Sequence, residues 1–455
     1  MRKYRTAIGL HAEGTDTAPR ACDDGAMAAE TRRTILATWI VTNAAAGDAV
    51  RNAIGYPAWA VLIALTFVWV FIELAMLRIR LTPVPAPLTM LVILCVVSSL
   101  WAFSPAASLV GSFALIGMVA SAIFIAPLPY RLILDIFHAS LQGLLIASLL
   151  FELFVALVLR RPLFPLWSDY PPGTTLEFAW STGLILQGER IQGVVGNANL
   201  LAMLALVALI ISACRAAAGF DRLWPLWVLL PILVLSLARS ATVTFAVVAV
   251  AVIAALMLSW IRWRGAVFYR IFAIVISAGL VVIGLILANW SAVADFLDRD
   301  ADMTGRFAIW ERVIDLATTS PVLGVGYVGY WQPWVHPFDE LGRLGETVYL
   351  QAHGVWLDVF LQLGIVGVLI WAALQWRALV NCLGAMYRSP RSDYAVNAAP
   401  LLIWVALFVQ GLAESRPWLE YGMILLVIFA LGRQRRRIAP RAPHTAAMPA
   451  LRGPR

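Results

Sequence analysis

The sequence predicts an all-α, polytopic membrane protein of about twelve transmembrane helices, with a long, partly helical external loop before the tenth. Three observations carry this. Of 455 residues, 61% are hydrophobic and only 13% are charged, whereas soluble domains run near half apolar and a quarter charged. The mean hydropathy is +0.83. Apolar runs of roughly twenty residues, the length a bilayer core demands, recur along the chain. Lipid offers no partner to backbone polar groups, so such runs must be helices. Barrel strands would be shorter and would alternate in polarity.

Residues 1–33 lack a continuous apolar stretch and read as a disordered cytoplasmic tail without a cleaved signal peptide. Clear spans are expected near 57–77, 87–103, 107–126, 132–158, 195–214, 223–238, 241–260, 271–290, 354–375, 398–413 and 418–432. A weaker span over 34–52 carries Thr, Asn and Asp. Charge decides in its favour. With that span present and the N-terminus inside, most of the 34 Lys and Arg residues fall on the cytoplasmic side, as the positive-inside rule requires. Without it, either the N-terminal Arg cluster or several basic loops would move outside. Nine helices are therefore expected over 34–290 and three over 354–432, followed by a basic, Pro/Ala-rich cytoplasmic tail over 433–455. This topology puts both termini inside.

The same topology explains the net charge of +8 and the pI near 9.6; no nucleic-acid partner is implied. The four cysteines, Cys22, Cys95, Cys214 and Cys382, form no C-x-x-C pair and indicate neither a disulfide framework nor a metal site.

Two outer loops are long, 159–194 and 291–353, and a structureless connection of the second length would be unusual. Thr304 is placed to cap a helix from Gly305 to Thr319, with Phe307, Trp310, Val313 and Ile314 on one face and Pro321 as its stop. The loop is thus expected to be folded against the outer membrane face.

Four motifs lie at outer helix ends or in the outer loops. "ERIQGVVGNANLLA" contains Arg190, Gly193, Gly196 and Asn199. "LARSAT" contains Arg239. "TGRFAIWERVIDLATTSPVLGVGY" contains Arg306, Arg312 and a Pro-x-x-Gly-x-Gly turn. "QAHGVWLDVFLQLGIVG" contains His353. Three arginines and a histidine on one face suit a particular reaction. Arginine stays charged and grips phosphate oxygens in a fork. A histidine accepts a proton from an attacking hydroxyl near neutral pH. Together they fit an alcohol nucleophile and a diphosphate leaving group, with arginine in the charge-stabilising role a metal fills elsewhere.

In order and text these motifs resemble the O-antigen ligase and polysaccharide polymerase superfamily, most nearly its exopolysaccharide polymerase branch, over about residues 190–375. The resemblance implies transfer of a glycan from a polyprenyl (undecaprenyl) diphosphate carrier to an acceptor hydroxyl at the outer face of the cytoplasmic (inner) membrane, with the active site facing outward. It implies inversion at the anomeric carbon, without metal or other cofactor. The partners implied are the lipid-linked donor, a glycan acceptor, membrane lipids and other polysaccharide assembly proteins. By motif position His353 is the catalytic base, and Arg190, Arg306 and Arg239 bind the diphosphate. Loop 291–353 becomes the catalytic loop. Polymerisation of repeat units is favoured over ligation of finished polymer to a lipid or cell-wall acceptor. The family commonly has Asn after the histidine where this chain has Gly354; Gln351 and Asp358 stand near enough to substitute.

Other polar residues have plainer expected roles. Arg312 is spaced to pair with Asp315, Asp135 with Arg131, and Glu73 lies near Arg78. His138 lies near the cytoplasmic start of its span. Glu152 has no obvious sequence partner and is a supporting candidate facing an acceptor cavity. Trp331 and Trp334 are candidate sugar platforms. Two other classes stay open, a secondary transporter or flippase and a non-catalytic assembly or sensor protein. No repeated pair of interrupted spans, the transporter signature, is visible.

Overall fold

The computed structural model describes residues 20–76, 84–171, 174–219, 222–262, 306–344, 347–390 and 393–432, with isolated positions between 270 and 288. The expected ninth span, residues 1–19, the C-terminal tail, Arg78 and Thr304 lie wholly or largely outside these residues; residues 20–33, expected as part of a disordered tail, are helical and open the first element.

The first two expected spans form one continuous element, α1 (Arg20–Met76), whose backbone leaves the helix at Gly55 (φ 83°, ψ 170°) just before Pro57. Its two limbs run antiparallel. The Trp39 indole donates to Thr66 Oγ1 at 3.1 Å, and Arg32 Nε meets Glu73 Oε1 at 2.8 Å. In one straight helix Trp39 and Thr66 would lie ~40 Å apart, so the chain turns back. The weak polar span is therefore a full limb of a hairpin. It supplies Arg32 to the buried Glu73 of its partner limb; Arg78, the expected neighbour, lies outside the described residues.

The remaining helices are α2 (Ala86–Val97), α3 (Pro105–Ile125), α4 (Tyr130–Phe154), α5 (Ala198–Ala217), α6 (Trp224–Ala238), α7 (Ala241–Arg262), α8 (Arg306–Ala317), α9 (Phe338–Leu341), α10 (Val355–Tyr387), α11 (Tyr394–Gln410) and α12 (Glu420–Leu431). Among the described residues six helical stretches are long and apolar enough to cross a membrane, and four more are apolar but shorter. A two-residue hairpin, β1 (Arg343–Leu344) with β2 (Thr347–Val348), is the one small sheet described. The protein is an all-α polytopic membrane protein.

Helix α5 is the central post, with Leu200 to Ala208 almost wholly buried. Asn197 caps it, accepting from Leu200 N at 2.9 Å. Many other helices leave large apolar side chains exposed, among them Val61, Leu65, Leu150, Phe245 and Trp376, as lipid-facing surfaces do. At the end of the bundle that carries Tyr130, Arg215 pairs with Asp135, and Arg131 reaches Asp393 at 3.2 Å. The sequence spacing suggested Asp135 with Arg131; packing of α4 on α5 supplies the other arginine. His138 lies nearby, buried, 3.2 Å from Ser212 Oγ.

The opposite end is held by an exchange between a loop and a broken helix. Helix α10 departs from helical geometry at Gly364 (φ 63°, ψ −164°). The break leaves carbonyls and amides without their usual partners. Segment 321–326 takes their places: Val325 N donates to Leu361 O and Gly326 N to Gln362 O, while Ile365 N donates to Pro321 O and Val366 N to Val322 O, at 2.9–3.2 Å. The approach is so close that a Cβ on Gly364 would lie 2.3 Å from the Val322 carbonyl, and one on Gly324 2.4 Å from the backbone of Gln362. This is the physical reason for the Pro-x-x-Gly-x-Gly turn.

Above that splice the long loop has its own core. Ile309, Val313 and Ala317 of α8 pack with Val325, Val328, Trp331, Phe338, Leu341 and Ala352. Helix α8 thus exists where a loop helix was expected, but its buried stripe is shifted. Ile314 is exposed, and Trp310 is tied by its indole to Ala352 O at 2.8 Å. The Arg312 guanidinium donates to the Arg343 carbonyl at 2.7 Å in place of the expected ion pair with Asp315, which is exposed. Trp331 is buried, its indole bonded to Asp358 at 3.0 Å, and therefore offers no face to a sugar; Trp334 is 71% exposed.

Candidate functional site

The turns 48–57, 98–104, 159–197, 239–240, 318–354 and 411–419 share one end of the bundle. Leu166 N donates to Asn52 O, Tyr327 N to Ser98 Oγ, Ile191 N to Leu237 O and Val355 N to Gly411 O. The four motifs therefore converge there.

His353 sits in the left-handed region at φ 52°, a conformation that costs a non-glycine residue of order 1–3 kcal/mol and persists only when its surroundings fix it. Both neighbours are fixed. Ala352 donates its N–H to Asp358 Oδ2 at 3.2 Å and accepts from Trp310, and Gly354 N donates to Ser415 Oγ at 3.2 Å. The imidazole lies edge-on to Tyr349, ring centroids 5.4 Å apart. Its Nδ1 is 3.2 Å from Glu414 Oε2.

Glu414 is the hub of the site. It is 4% exposed and also accepts from Gln351 Nε2 at 3.2 Å and Asn199 Nδ2 at 3.3 Å. With Nδ1 donating to Glu414, Nε2 keeps its lone pair for an incoming proton. Asn199 opens the helix that follows the Arg190 motif, so one carboxylate links the first motif, the fourth motif and the α11–α12 turn. Neither Gln351 nor Asp358 meets the ring of His353. Gln351 shares the carboxylate, and Asp358, fully buried, anchors Ala352, Trp331 and Gln362. The carboxylate that meets the histidine ring comes from the α11–α12 turn, 61 residues further along the chain.

The arginines are placed by the other long loop. Arg239 ends α6 in the left-handed conformation, and its guanidinium donates to the Gly188 carbonyl. Ile191 N bonds Leu237 O at 3.2 Å, so Arg190 lies on a segment laid along the end of α6 beside Arg239. Arg306 is the first residue of α8; its side chain lies outside the description. Glu152, without a partner by sequence, is the clamp of this loop. Buried at 1% exposure, it accepts from Gln192 N at 2.9 Å, Gly193 N at 2.7 Å and Ser181 Oγ at 2.6 Å.

A second group of charges was not singled out by sequence reasoning. Asp48 of α1 meets Arg416 at 2.6 Å and Arg51 at 2.9 Å, and Arg416 meets Glu420 at 3.3 Å. Burial pushes the Tyr330 phenol, which faces this cluster, well above its ordinary pKa. The signal was available. Asp48 and Arg51 are ionisable residues at a span end, and "ESRPWLE" packs three charges between two spans.

Helices and site together define a polytopic membrane protein with a half-buried histidine held by a buried acid, at the same end of the bundle as an arginine-bearing loop. Residues 224–372 match the family model described as O-antigen ligase, a stretch that takes in Arg239, Arg306 and His353. The chain is also 27% identical over 145 residues to the exopolysaccharide production protein ExoQ of Rhizobium meliloti (strain 1021), a match covering 30% of this chain and 32% of that protein. The matched region is thus about a third of the relative's length. Both findings support a likeness to the O-antigen ligase/polymerase-like superfamily over about a third of the chain.

Proposed function

We propose that the protein is a glycosyltransferase that lengthens a lipid-linked glycan at the outer face of the cytoplasmic membrane, with both termini inside. The observation that carries this reading is the Glu414–His353 contact at 3.2 Å, at the same end of the bundle as Arg190 and Arg239. His353 Nε2 takes the proton of an acceptor hydroxyl. The oxygen attacks the anomeric carbon of a glycan carried on polyprenyl diphosphate, and the bond from that carbon to the diphosphate oxygen breaks with inversion. Arg190, Arg239 and Arg306 stabilise the charge that gathers on the departing diphosphate, a term worth about 10²–10³ in rate for a single well-placed donor. Loop 291–353 carries two of the working residues and is the catalytic loop. Polymerisation of repeat units is preferred to ligation of finished polymer.

The test is a deletion strain complemented with the wild-type gene or with His353→Ala, its lipid-linked glycans and extracellular polymer profiled. The expected result for His353→Ala is single repeat units accumulating on the carrier and no polymer, with the protein present at normal level. Long carrier-linked polymer would make the protein a ligase instead, and a normal profile would remove His353 from the chemistry.

A further inference from the structure

Three consecutive side chains of the α11–α12 turn, Glu414, Ser415 and Arg416, grip different partners. Glu414 Oε2 meets the His353 ring at 3.2 Å. Ser415 Oγ accepts from Gly354 N at 3.2 Å and also bonds Asp358, the carboxylate that holds Ala352 N. These two therefore act on His353 and its neighbours. Arg416 reaches elsewhere. Its guanidinium meets Asp48 Oδ2 of α1 at 2.6 Å and Glu420 Oε2 at 3.3 Å.

The backbone bonds of the turn are local. Leu412 N donates to Val409 O, Ala413 N to Gln410 O, Trp418 N to Ser415 O and Leu419 N to Arg416 O. They set its curvature, while its place in the molecule depends on what its side chains hold. Trp418 seats the later half on Tyr327 and Trp371. The Arg416–Asp48 contact ties the middle to α1. A hydrogen bond at 3.2 Å has little slack: a shift of the turn by about 1 Å would carry Glu414 beyond bonding reach of the imidazole. Nor is stability a sufficient reason for the pair. Desolvation offsets much of the attraction in a buried ion pair, and apolar side chains of similar size often serve as well. What the pair supplies here is one fixed arrangement.

We propose that Arg416, anchored on Asp48, is a positioning residue for His353, acting through Glu414. The inference rests on the glycosyltransferase reading and deepens it. The histidine is aimed by a chain of contacts that runs from α1 through the α11–α12 turn to the start of α10. What passes along that chain is position and not a proton.

The test uses the full protein in proteoliposomes, with the strain's own lipid-linked repeat unit as substrate, and hydrogen–deuterium exchange on the same preparations. Arg416→Met removes the guanidinium and leaves no carboxylate stranded, because Asp48 keeps Arg51 at 2.9 Å and Glu420 keeps its bond from Tyr330. It is expected to lower kcat about 10²-fold, the scale of a group misplaced by about 1 Å, with KM little changed. Added to Glu414→Gln, it should cost at most about tenfold more, because residues that act through one another are not additive. Arg416→Lys, which still presents a cation to Asp48, should recover part of the lost turnover. Amide exchange at residues 352–355 should be faster in Arg416→Met than in wild type, whether or not substrate is present. Should Arg416→Met fail to fold, Asp48→Asn weakens the same contact and is read by the same measures. A full second loss in the double variant would make the pair a general stabiliser and overturn the proposal. So would Arg416→Lys no better than Arg416→Met, or unchanged exchange at 352–355. If His353→Ala turns over normally while exchange still responds to Arg416→Met, the glycosyltransferase role of His353 fails and the anchoring of its segment stands.

Discussion

A single carboxylate organises the chemistry at the residue scale. Glu414 holds His353, Gln351 and Asn199, residues from three separate stretches of chain, and partners of this kind commonly govern the tautomer and aim of a histidine. Glu414→Gln keeps the size and removes the charge. Its turnover is expected to fall about 10²-fold, the scale of general-base contributions, with little change in KM; unchanged turnover would show that the contact is incidental. A different outcome is expected at Asp48. Removing that carboxylate takes from Arg416, which is only 11% exposed, the nearer of its two partners and leaves it the longer contact to Glu420, and breaking one partner of a buried pair costs about 3–5 kcal/mol. Asp48→Ala should therefore lower the thermal midpoint in detergent sharply, whereas Arg312→Ala, which loses one bond to a carbonyl on the exposed side of α8, should move it little.

Two elements do most of the positioning, the spliced helix α10 and the clamped loop before α5. Gly364→Val would drive a side chain into the Val322 carbonyl, already 2.3 Å from the Cβ position, at a backbone angle that disfavours branched residues. It should loosen loop 318–353, seen as faster proteolysis within that loop before the helices unfold. Cutting at the wild-type rate would contradict the splice. Much of this arrangement was legible in the sequence. Span positions follow from apolar length, the weak first span from charge, and the loop helix from its periodicity and the proline after it. The glycines at 324 and 364 were visible, but not their mutual contact, because that depends on backbone pairing between segments some forty residues apart. Partners were the least legible feature. Asp135, Glu73 and Arg312 each have a plausible local mate by spacing, and each is met by a group distant in sequence: Asp135 and Arg312 from another element, Glu73 from the other limb of α1. Glu414 went unnoticed for the same reason: nothing in "LAESRPW" says which helix end it will face.

At the scale of the whole molecule, a broken helix is also a mark of transporters, where it lines a mid-membrane site. Here the protein's own loop fills the break in α10, and the polar groups gather at one end. The topology proposed for the chain puts that end outside. Cysteines placed at exposed positions near the two ends test it. Trp334→Cys should react with a membrane-impermeant thiol reagent in intact spheroplasts, while Tyr387→Cys, 77% exposed in the wild-type residue at the opposite end, should react only after the membrane is opened. The native Cys95, Cys214 and Cys382 are buried and should contribute little background. The reverse pattern would invert the molecule and, with it, the side on which the acceptor is met. The central claim is that His353, aimed by Glu414, transfers a lipid-linked glycan. Its most direct test is a reconstituted reaction: the purified chain in proteoliposomes, supplied with the strain's own lipid-linked repeat unit and no other protein, with product length read by mass spectrometry. Wild type should build chains of more than one repeat while His353→Ala leaves the repeat unit intact; equal product from both would contradict the account.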